Sequence, residues 1–84
     1  MAELIHQHSE QLRDARGAVH DALVYGERRD DGRWEGWIEF HPTDEAGPAL
    51  RTGQETSQPN REALAYWASG LEAVYLEGAF ARAR

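Results

Sequence analysis

Eighty-four residues, a net charge of −6 and no cysteine describe one small domain without a disulfide framework or a thiol-ligated metal, whose core must be built around three Trp, three Tyr and two Phe. All nine basic residues are Arg; the absence of Lys excludes Schiff-base catalysis and a P-loop lysine, and the acidic balance opposes binding of duplex nucleic acid, which depends on neutralising phosphates. No apolar run approaches the ~18–20 residues of a membrane span and none reads as a signal peptide, so a cytoplasmic location is expected, and the Ala- and Arg-rich composition points to a GC-rich bacterium.

The spacing of Leu4, Ile5, His8, Leu12 and Ala15, with Gly17 as a stop, predicts an N-terminal helix over residues 1–17 or, failing a docking site, a flexible arm. Residues 18–84 then form a single βββα(α) domain, and the predicted fold class is α+β, a three-stranded antiparallel sheet packed by a C-terminal helical segment.

Asp31-Gly32 is the dipeptide of a two-residue hairpin whose central residues both take positive φ. Folding about it pairs Arg28 with Glu35, Gly26 with Trp37, Tyr25 with Ile38 and Leu23 with Phe40. One face collects Leu23, Tyr25, Trp34, Ile38 and Phe40; the other collects Val24, Arg28, Glu35, Trp37 and Glu39. Pro42 to Pro48 reads as a loop. Ala49 to Thr56 returns as the third strand, with Leu50 and Thr52 inward, Arg51 outward and a bulge or close approach at Gly53.

The polar run through Asn60 leads into a helix that has Pro59 and Glu62 near its start. Leu64, Trp67, Leu71, Val74, Tyr75 and Gly78 line one face, and Gly36 beneath it permits close approach. Tyr66, Ala73, Leu76 and Phe80 gather on the opposite face. Either the helix breaks near Gly70 and both faces are buried, or it is continuous and the second face is an oligomer interface.

Catalytic constellations are not evident. Glu35 and Glu39 on one strand lie ~13 Å apart, too far for a glycosidase pair. His6 and His8 point apart on a helix and converge only if that segment is extended. Ser9, Ser57 and Ser69 lack a nucleophile elbow, and Asp30-Asp31-Gly32 lacks the later ligands of a calcium loop. No catalytic residue, cofactor or metal is expected.

What remains is surface. Trp37, placed on the polar sheet face between Glu35 and Glu39 and near Arg51, reads as a partner anchor unless the N-terminal helix covers it. Arg51, Gln54 and Glu55 read as a recognition loop, and Leu76 and Phe80 as a second patch. The expected function is a non-catalytic interaction or regulatory module, with a second copy or a basic protein as partner. The alternative is a small-molecule binder or enzyme with a helix–sheet pocket of Tyr25, Thr52, Glu55 and Trp67.

The strand, Asp31-Gly32 turn, strand ending in Phe40-x-Pro42, Thr52 to Thr56 segment and Glu62-Ala63 helix resemble the N-terminal domain of HicB-like antitoxins over about residues 21–78. The order of Gly53 and Gln54 departs from the family's usual turn. The resemblance implies a βββα unit, dimerisation and a basic toxin-like partner.

Overall fold

The computed structural model describes residues 1–45 and 47–84. In chain order the elements are β1 (Glu3–Arg13), β2 (Val19–Arg28), β3 (Trp34–Pro42), β4 (Leu50–Arg51), β5 (Thr56–Gln58), α1 (Arg61–Ser69) and α2 (Ala73–Arg82). The fold is α+β: one antiparallel sheet in the order β1-β2-β3-β4, with β5 also paired to β3. Among the described residues no helix is long and apolar enough to cross a membrane.

The N-terminal segment is a strand, not the expected helix. Its apolar spacing mimics a helix because the ladder with β2 is irregular, with register shifts between Leu4 and His6 and between Gln7 and Gln11. An extra residue in a bulge disturbs the two-residue alternation, and Ile5, His8 and Leu12 all turn inward although their spacing is three and four. Gly17 serves the β1–β2 turn, at φ 87°. There the Asp14 carboxylate accepts the Arg16 and Ala18 amides at 2.8 and 3.0 Å.

The β2–β3 hairpin forms at the expected place but one residue out of the expected register. Val24 faces Ile38, Tyr25 faces Trp37, and Ala22 rather than Leu23 faces Phe40. The cause is the turn. Gly32 N–H donates to Arg29 O at 3.0 Å and Arg29 N–H to Arg33 O at 2.7 Å, and of the Asp31-Gly32 pair only Gly32 has positive φ. This is a three-residue loop, a type I turn closed by a left-handed glycine, instead of a two-residue one. A shift of one residue reverses one strand's faces relative to the other's. Ala22 and Val24 therefore join Ile38 and Phe40 in the core, while Leu23 and Tyr25 share the outer face with Trp37.

The expected third strand is split. Arg51 faces Glu39 and Thr56 faces Gly36, so five steps along the edge span three on β3. Thr52 bridges the excursion: its amide donates to Ile38 O at 2.9 Å and its Oγ1 accepts the Ile38 amide at 3.1 Å. Leu50 and Thr52 turn inward and Arg51 outward, as the alternation predicts. The loop expected between Pro42 and Pro48 includes Ala46, which lies outside the described residues.

Asn60 caps α1 by accepting the Ala63 amide at 2.8 Å, with Glu62 in the first turn. The helix ends at Gly70, so the predicted break is present. It re-aims the chain: Leu64 and Ala68 of α1, then Leu76 and Ala79 of α2, enter the core. The core consists of these residues with Leu12, Ala22, Val24, Ile38 and Phe40, all on one side of the sheet. Burial of each large apolar side chain contributes about 1.5–3 kcal/mol.

Candidate functional site

Both helices occupy one side of the sheet, and the other side is open. Alternation along β3 sends Glu35, Trp37, Glu39 and His41 to that side, and ladder partners add Leu4, Leu23, Tyr25 and Arg51. Trp37 stands on this side, outside the helix-side core cluster. It is nevertheless only 3% exposed, because neighbours on its own face cover it. The Arg51 guanidinium lies 4.1 Å above the ring centroid, and the Tyr25 ring runs nearly parallel to it at 6.5 Å and 15°.

Glu39 ties the array together. One of its oxygens accepts the Trp37 indole N–H at 2.9 Å, and the other lies 2.9 Å from His41 Nε2. The His41 ring in turn lies nearly parallel to Tyr25, at 6.3 Å and 12°. The arrangement fixes two rings through one carboxylate and holds an arginine flat against a tryptophan. It presents a rigid, amphipathic plane suited to contact with another surface.

The expected site residues fall into three places. Trp37, Glu39 and Arg51 converge in this array. Glu35 lies toward the hairpin, 3.7 Å from Arg29, whose Nη1 also approaches Gln54 Oε1 at 3.4 Å. Glu55 turns to the helix side, where Tyr75 Oη and Arg82 Nη2 each donate to its Oε1 at 2.6 Å. Burial disfavours the Glu55 anion, but the bonds from Arg82 and Tyr75 outweigh it and the carboxyl is held below its ordinary pKa. Burial and the adjacent Glu55 push the Tyr75 hydroxyl up to about 12.

Leu76 and Phe80 are not a surface patch. Leu76 is fully buried, and Phe80 packs edge-on against Phe40 with centroids 4.9 Å apart; the turn after Gly70 rotates them into the core. The expected helix–sheet pocket does not assemble either. Tyr25 lies on the far side of the sheet from Trp67, and Glu55 is already engaged by α2.

Tyr25 and His41 are the members that sequence reasoning missed. His41 was legible, since it continues the alternation of Glu35, Trp37 and Glu39; Tyr25 was not, because its face depends on the hairpin register. The extended N-terminal segment does bring His6 and His8 together, with ring centroids 4.6 Å apart. Among the described residues, however, no group of three His, Cys, Asp or Glu has a geometry able to hold a metal ion. Comparison with protein-family models, with curated proteins and with solved structures finds no match to this chain.

Proposed function

We propose that the protein is a non-catalytic interaction module that docks a protein partner on the open face of its sheet. One observation carries this reading: the face opposite the helices bears an ordered array of Tyr25, Trp37, Glu39, His41 and Arg51, and among the described residues neither helix lies over it. Rigid aromatic and arginine side chains are those that contribute most at interfaces. They lose little conformational freedom on binding when already fixed.

Two occupants suit the face. A second copy would use the apolar strip of Leu4, Leu23 and Tyr25; a basic protein would use Glu27, Glu35 and Glu39, in keeping with the net charge of −6. Light scattering over a concentration series, with a native pulldown, tests both. The expected result is self-association or a retained basic partner, either one lost in Leu4→Asp and Leu23→Asp variants that remain folded. A monomer that retains no partner through these residues would remove the proposal.

A second reading, an antitoxin-like role, is supported by the acidic charge and by the order of β2, β3, the split edge strand and α1. It requires the retained partner to be one small basic protein whose toxicity the chain suppresses on co-expression. Growth arrest that persists with both proteins present would end that reading.

A further inference from the structure

His8 occupies the seam between β1 and the helices. It is 6% exposed, and its buried Nε2 has no hydrogen-bond partner. The strand is weakest around it: residues 8–10 fall within the register shift between Gln7 and Gln11, so ordered pairing with β2 exists only on either side. The ring stands edge-on to His6 with centroids 4.6 Å apart, and Nδ1 lies 3.8 Å from Glu10 Oε1, a carboxylate 47% exposed. The charged groups acting on the ring are thus His6 and Glu10, both from β1. From α1 it faces the Ala68 carbonyl, which does not complete a bond to Nε2. Among the described residues no charged side chain of β2 or α2 is among the groups acting on it.

We propose that His8 is an acid-operated latch whose protonation frees β1 from α1 and from β2, uncovering the edge of β2 and the core side of Ala22 and Val24. A neutral imidazole is tolerated in this seam, because an unpartnered ring nitrogen costs far less than a buried charge. An imidazolium would carry its charge and a second N–H donor into a buried place where the Ala68 carbonyl is near but unbonded to Nε2 and the Glu10 carboxylate stays 3.8 Å from Nδ1. Burial, followed by His6, holds the ring below its ordinary pKa, against the opposing pull of Ala68 and Glu10. Because the value is lowered in the folded state, the contribution to stability is complete above the unfolded value of 6.5. It is lost as pH falls through the folded value. The break is local because β1 is an edge strand, whereas β2 keeps its whole ladder with β3.

Amide hydrogen exchange at pH 7.5 and 5.0, corrected for intrinsic rates, combined with an NMR titration of the histidine rings, tests the latch. Protection of the β1 amides is expected to fall about tenfold for each pH unit between the unfolded value of 6.5 and the folded His8 midpoint and to level off below that midpoint, while the β2–β3 amides remain protected. His8→Leu is expected to keep β1 protected at pH 5.0. His6→Gln should move the midpoint up and Glu10→Gln should move it down. If His8→Leu does not fold, the wild-type measurements still decide. A His8 ring that titrates with no change in β1 exchange, or β1 exchange that merely follows that of β3, overturns the proposal.

Discussion

Leu64 of α1 stands directly over Gly36 of β3, so closely that a Cβ on the glycine would lie 2.7 Å from Leu64 Cδ1. Gly26, the ladder partner of Gly36, leaves the matching space for the other methyl group. Two strand glycines thus form the floor on which the helix rests. Gly36→Ala is expected to lose about 1–3 kcal/mol by overpacking, and Leu64→Ala about 2–5 kcal/mol by leaving a cavity. Because the two residues are in contact, the double variant should lose less than the sum of the single losses. Urea unfolding of the three variants measures this.

Glu55 joins the split edge strand to α2 through Tyr75 and Arg82. Its folded-state pKa lies below the ordinary 4.5, so its contribution to stability is present above that value and is lost as pH falls through the folded one. Glu55→Gln should cost about 1–2 kcal/mol at pH 7. The difference from wild type should shrink as pH is lowered past 4.5, as followed by denaturant midpoints.

Tyr75 predicts the opposite, alkaline limb. Its hydroxyl is raised from 10.0 to about 12, so its contribution is complete below 10.0 and lost as pH rises through the folded value. Wild type should therefore lose stability across that interval, and Tyr75→Phe should show a shallower loss. Thermal unfolding of both proteins at a series of alkaline pH values separates them.

Arg51 is the lid of Trp37. Arg51→Ala should cost about 0.5–1 kcal/mol. The Trp37 indole proton, bonded to Glu39, should exchange more slowly than those of Trp34 and Trp67 in wild type. It should lose much of that advantage in the variant, a comparison that NMR reads directly.

Much of the local structure can be read without coordinates, because it depends on neighbours in the chain. The hairpin at Gly32, the alternation that separates Trp37 and Glu39 from Ile38 and Phe40, the interruption near Gly53 and the stop at Gly70 are all local signals. So is the close approach at Gly36. For the open-face array, this was enough to bring Trp37, Glu39 and Arg51 together.

Three-dimensional packing settled the remainder, because the competing arrangements are nearly equal in local energy. A two-residue and a three-residue turn both satisfy Asp31-Gly32, and the choice of Gly32 alone at positive φ reversed β2 and carried Tyr25 to the side of Trp37. Residues 3–13 fit a helix by spacing, but β2 offered an unpaired edge, and backbone bonding along it with burial of Ile5, His8 and Leu12 outweighs helix propensity. Leu76 and Phe80 went inward for the same kind of reason: the break at Gly70 frees the rotation of α2, and the space beside Phe40 fixes it.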